Sequence, residues 1–144
     1  MSERAELNFE GLSCPVPLPE ATLDRIVLGH GSGGRMSHNL IRRVFLADLD
    51  NPVLSQLNDG AVLSLPEEDG RLVLSTDAHV VQPLFFPGGD IGRLAVCGTV
   101  NDLAMMGARP LWLTAAFVLE EGFPIETLQR IVRSMREAAA EAGV

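Results

Sequence analysis

The chain has 144 residues, 47% of them hydrophobic, and carries 11 basic against 19 acidic side chains for a formal net charge of −8. That length supports one domain with a real core and excludes two large ones, and the acidic balance excludes a nucleic-acid groove, which needs clustered cations. Every basic residue is arginine, so P-loop nucleotide hydrolysis and lysine Schiff-base chemistry, which both depend on a lysine, are excluded as well.

Residues 1–25 mix charge, proline and little periodicity, and read as a flexible N-terminal segment without a signal-peptide layout. No apolar run approaches the roughly 20 residues of a membrane span, and the reading is a cytoplasmic protein. Cys14 and Cys97 stand far apart with no CxxC spacing, which points to free thiols. The stretch "GHGSGG" (29–34) places four glycines before a helical pattern in which Met36, Leu40, Ile41, Val44, Phe45 and Ala47 share one side and Arg35, Arg42, Arg43 and Asp48 the other. "AVLSL" (61–65) and "RLVLSTDAHVV" (71–81), separated by "PEEDG", read as a hairpin of two strands. Asp90 is a candidate N-cap for a helix over 91–106, with Gly107 at its C′ position; this helix is apolar almost all round and is expected to be buried. "PLWLTAAFVLE" (110–120) reads as a third strand, and an amphipathic helix follows Pro124. Met105, Met106 and Trp112 are assigned to the core. The order helix, strand, strand, helix, strand, helix points to an α+β fold, a mixed sheet with helices on one face. The last helix stops where it would hand over to another strand, as in a piece of a longer chain.

Three aspartates interrupt this apolar background: Asp59 in "NDG", Asp77 in "STD" and Asp102 in "ND". Carboxylates are costly to bury unless paired or bound to a cation. Taken alone, Asp59 reads first as a turn residue and Asp77 as a strand-end carboxylate either functional or solvated. Asp102 is the strongest, because a buried helix holds Asn101 and Asp102 only when partners meet them. Three carboxylates on separate elements suit a hard divalent cation held between protein and phosphate, while a glycine turn opening a helix offers backbone N–H groups to phosphate. His30, His38 and His79 lack zinc-site spacing, and "PLFFPGG" (83–89) is a lid or a packing segment.

"GHGSGG", "STDAHVVQPLFFPGGDIGRLAVCGTVNDLAMMGARP" and "FVLEEGFP" together resemble the N-terminal half of the hydrogenase-maturation carbamoyl dehydratases, the HypE family, within the aminoimidazole ribonucleotide synthetase-like (PurM-like) superfamily. The resemblance covers residues 26–144 and implies the superfamily's ATP-binding domain, a homodimer formed sheet to sheet, and Mg2+ with ATP as cofactors. It implies metal aspartates at Asp59, Asp77 and Asp102, and nucleotide contacts from Gly29, His30, Gly31, Ser32, Gly33, Gly34, Thr76 and Asn101. The glycine segment is expected to be poorly ordered until nucleotide closes it. The implied reaction uses ATP to dehydrate a carboxamide on a C-terminal cysteine to a thiocyanate, the source of the cyanide ligands of nickel–iron hydrogenase. The implied partners are a HypF-like carbamoyltransferase and a maturation scaffold complex.

This chain departs from the family where Ala78 and His79 stand in place of a serine and an aromatic residue after the "TD" aspartate. The family's lysine-bearing "GDTK" segment, second domain and cysteine tail lie beyond the matched stretch, so no catalytic residue is expected in these positions and the fragment alone should not turn over. The alternatives are the ATP-binding domain of a thiamine monophosphate kinase or selenophosphate synthetase relative, or a dimerisation module without chemistry.

Overall fold

A computed structural model describes residues 24–65 and 70–144. Cys14, nearly all of the N-terminal segment and the turn between the two expected hairpin strands lie outside them. The chain enters along Ile26, whose N–H donates to the Phe123 carbonyl at 2.8 Å while its own carbonyl accepts from Gly122 at 2.7 Å. A 3-10 turn, Leu28–Gly31, covers the start of the glycine stretch. Helix α1 (Arg35–Leu40), a π segment (Ile41–Phe45) and helix α2 (Leu46–Leu49) then follow without interruption, so the single expected helix is present with a π insertion in its middle.

The hairpin β1 (Phe85–Phe86) and β2 (Gly89–Asp90) pairs Phe85 with Asp90 and Phe86 with Gly89. It leads directly into helix α3 (Ile91–Met105). Asp90 caps that helix as expected, its Oδ1 accepting from the Arg93 N–H at 3.0 Å. At the other end Gly107 adopts φ +67 and its N–H reaches the Ala104 carbonyl, with the Ala108 N–H on Leu103, the paired bonds of a Schellman ending. Helix α4 (Ile125–Ala142) begins immediately after Pro124.

Helix α4 is the spine of the core. Leu128 and Val132 are buried with Ile125, Ile26 and Val44, and Leu40, Phe45, Leu49, Phe117, Leu119 and Phe123 pack around them. The Phe45 and Phe117 rings meet at 4.9 Å with a 52° tilt, a favourable aromatic geometry. Asp48, expected on a solvated face, instead accepts from Arg136 at 3.3 Å and lies 3.8 Å from Arg133, joining α2 to α4. Helix α3 crosses α4 at Gly92, where a Cβ would stand 2.5 Å from the Ile131 carbonyl oxygen. Only glycine admits that approach.

The expected sheet is different. Residues 61–65, 71–81 and 110–120 carry no strand ladder, and β1–β2 is the sheet among the described residues. A two-residue alternation is nonetheless present in the last two, whereas 61–65 is exposed throughout: Leu111, Leu113, Phe117 and Leu119 turn inward while Trp112 and Val118 are exposed. A strand's backbone bonds must come from a neighbour, and these segments have the side-chain period of strands without one. The expected burial of α3 is corrected as well: Gly92, Val96 and Leu103 are buried, whereas Met105 and Met106 are 86% and 71% exposed and Trp112 is 40% exposed. Apolar composition records a need for cover, and it does not say which surface supplies it.

Candidate functional site

The segment preceding the hairpin runs along α3 with its polar side chains toward the helix. Ser75, Asp77 and His79 are two residues apart and therefore share one face of an extended chain. On the helix, Gly98 and Asp102 are four apart and share one face. The two rows meet: the Ser75 hydroxyl donates to Asp102 Oδ2 at 3.2 Å, and a Cβ at Gly98 would lie 2.7 Å from His79 Nε2 and 3.7 Å from Asp77 Oδ2. His79 Nε2 is 3.2 Å from Asp77 Oδ2, with side-chain exposures of 15% for the imidazole and 42% for the carboxylate. Asp77 Oδ1 accepts from the Ala78 N–H at 2.7 Å.

Asp77 and Asp102 are thus brought to one face of α3, with Asn101 and Thr76 exposed beside them. Asp59 stands apart on an exposed bend. Among the described residues no three His, Cys, Asp or Glu side chains gather into a ready-made metal cage. The donor set nevertheless suits a hard cation. Asp77 and Asp102 offer carboxylate oxygens that remain solvent-accessible, and Mg2+ keeps several waters and takes one or two carboxylates plus phosphate oxygens, without needing an all-protein cage. Cys97, one residue before Gly98, is a free thiol.

The glycine stretch forms a locally bonded turn. His30 Nδ1 accepts from the Val27 N–H at 3.0 Å, Ser32 Oγ donates to the Gly29 carbonyl, and Ser37 Oγ donates to the His30 carbonyl while accepting from the Gly33 N–H. The sequence reading missed this role of Ser37. The signal was available, since a hydroxyl in the first turn of a helix commonly satisfies backbone groups of the preceding loop. With Nδ1 accepting, the imidazole proton of His30 sits on Nε2. The turn borders an apolar hollow of about 410 Å³ lined in part by Val27, Leu40, Phe45, Phe117 and Leu119.

The acidic oxygens lie on one face of α3, while the glycine turn borders a separate hollow whose lining includes neither Asp77 nor Asp102. The sequence model of the family described as AIR synthase related protein, N-terminal domain, matches residues 57–144, and the chain belongs to that family. Its α+β fold follows from that membership and from a solved relative.

That relative is the hydrogenase maturation protein HypE in complex with ATP, whose crystal structure superposes with a TM-score of 0.77 at 57% identity, covering 82% of this chain and 34% of that one. The carbamoyl dehydratase HypE of Cupriavidus necator is 59% identical over 120 residues, which is 83% of this chain and 34% of that protein. The Escherichia coli carbamoyl dehydratase HypE is 49% identical over 125 residues, covering 85% of this chain and 37% of its own length. The chain spans about a third of the length of these relatives.

Proposed function

We propose that this chain is the ATP-binding and dimerising N-terminal part of a carbamoyl dehydratase that makes the cyanide ligands of nickel–iron hydrogenase. The observation that carries the reading is the 57% identity and 0.77 TM-score to a HypE that holds ATP, and it is supported by Asp77 lying against Gly98 and Asp102 bonding Ser75 on the same face of α3. In this reading a cysteine-bound carboxamide is dehydrated to a thiocyanate, its oxygen leaving on the γ-phosphoryl group of ATP as phosphate. Asp77 and Asp102 hold Mg2+, which when bound neutralises phosphate charge. Asp59 joins them from its bend once nucleotide is present. Asn101, Thr76 and the turn of Gly29, His30, Gly31, Ser32, Gly33 and Gly34 contact the nucleotide. Within this stretch, which has no lysine, backbone N–H groups and the metal supply the phosphate neutralisation, and the lysine-bearing segment that the resemblance implies would add to it.

The exposed apolar row of Leu72, Leu74 and Val80, with Val118, supports a homodimer. The partners in this reading are a HypF-like carbamoyltransferase and a maturation scaffold complex, and the setting is the cytoplasm. Among the described residues no helix is long and apolar enough to cross a membrane.

The test is Asp102→Asn in the full-length protein, titrated with ATP by calorimetry with and without Mg2+. Asparagine keeps the size and the bond from Ser75 but lacks the charge a hard cation prefers. The Mg2+-dependent ATP affinity should fall at least about tenfold with the melting temperature nearly unchanged. Unchanged affinity would return Asp102 to a structural role.

A further inference from the structure

We propose that His79 is a positioning residue that holds the Asp77 carboxylate against the Gly98 notch of α3, fixing its direction for the cation shared with Asp102. The inference rests on the proposed Mg–ATP site and concerns residues that site did not include. Three observations converge on it. The imidazole is largely covered, at 15% side-chain exposure, although it lies in a segment without ladder hydrogen bonds. Its Nε2 faces Asp77 Oδ2 at 3.2 Å. The space it occupies exists because residue 98 has no side chain: a Cβ there would stand 2.7 Å from Nε2 and 3.3 Å from Cε1.

An exposed carboxylate on an extended segment samples several rotamers, and a cation ligand is more effective when its direction is set beforehand. Oδ1 of Asp77 is already engaged by the Ala78 N–H. The imidazole contact to Oδ2 adds a second restraint, so each carboxylate oxygen has a neighbour before any ligand arrives. Gly98 is the complementary element, since its missing Cβ lets the ring lie on the helix and the carboxylate follow it.

The experiment uses the full-length protein with variants His79→Ala, His79→Gln, Gly98→Ala and Asp77→Asn. Calorimetry measures ATP affinity with and without Mg2+, and nitrogen-15 NMR of the ligand-free protein reads the His79 ring. His79→Ala should weaken Mg2+-dependent ATP binding roughly 10-fold, the lower range for removing an outer-shell partner, while metal-free ATP binding and melting stay as in wild type. His79→Gln, whose amide nitrogen can reach Oδ2, should restore most of that loss. Gly98→Ala should give the same loss with His79 intact. Alanine is the better helix former, and the atom it displaces is the end of a side chain, so this variant folds and the ring signal shifts. Wild-type affinity in both His79→Ala and Gly98→Ala, with Asp77→Asn still deficient, would overturn the positioning role alone. Wild-type affinity in Asp77→Asn would overturn the metal site on which it rests.

Discussion

The helical half of the molecule and its extended segments solve the same problem with different success. Helices α3 and α4 satisfy their own backbone groups internally, cap themselves at Asp90, Gly107 and Gly143, and then bury what is left against each other and against Val44 and Ile26. The segments at 61–65, 71–81 and 110–120 were expected as strands, and the last two alternate as strands do, yet their backbone has no ladder and apolar side chains stand exposed, Leu74 at 82% and Val80 at 99%. One half is self-sufficient. The other presents its polar row, Ser75, Asp77 and His79, to α3 and its apolar row to the outside. The candidate site therefore lies on the seam between a finished region and one that calls for cover.

The largest expected effect tests that contrast with a single kind of truncation in each half. Leu128, at 1% exposure, anchors the core, so Leu128→Ala should lower the stability of the chain by about 2–5 kcal/mol. Leu74→Ala removes the same atoms from a position exposed in the single chain and, measured at concentrations too low for the proposed homodimer, should change it by no more than about 0.5 kcal/mol. Urea denaturation of both variants checks the pair. Comparable losses would mean that the extended segment is buried in solution and that the contrast is wrong for the chain alone.

A smaller effect on stability, with a large one on assembly, comes from charging the outward row. In the proposed homodimer Leu74 and Val80 are covered by the twin subunit, so the double change Leu74→Asp and Val80→Asp should dissociate it while leaving the helical signal in circular dichroism intact. Sedimentation across a concentration series reads the outcome. A wild-type chain that sediments as a monomer at every concentration would remove the proposed cover and leave the exposed row to another partner.

Why one half was legible in the sequence and the other was not follows from where each obtains its hydrogen bonds. The helix bounds came close, 91–106 expected against Ile91–Met105 found, and the residue placed at the cap, Asp90, is the cap. These are local features, written in spacings of three and four residues. The strand alternation was also legible, but pairing is non-local, and "AVLSL" and "RLVLSTDAHVV" hold no information about whether a neighbour is in place. Met105, Met106 and Trp112 were assigned to the core for the same reason and are exposed. In the site, Asp77 and Asp102 could be singled out as carboxylates in apolar surroundings. Their placement on one face of α3, Asp102 bonded to Ser75 and Asp77 against Gly98, depends on the register between a loop and a helix, which the sequence does not spell out. The role of His79 was equally hidden, because a histidine without metal spacing carries no sign of what it leans on.

The smallest expected effect asks whether charge contributes to the helical half, or packing alone. Arg93 of α3 and Glu141 of α4 form a two-pronged ion pair, with Nη1 donating to Oε1 at 3.0 Å and Nη2 to Oε2. The hydrogen bond from Arg93 and then its charge hold the Glu141 carboxyl below its ordinary range, and the same contact raises the Arg93 guanidinium. A carboxyl whose folded value is depressed adds stability above its unfolded value, and that stability disappears as pH falls through the folded value. The pair is solvent-exposed and screened by salt, so the effect should be slight. Glu141→Gln should melt slightly below the wild-type chain near neutral pH, and the difference should close on acidification below the ordinary glutamate value of about 4.3, or on adding salt. If the difference instead widened in acid, or persisted undiminished in high salt, charge would not be its source, and the two helices would be joined by packing alone, as at the Gly92–Ile131 approach.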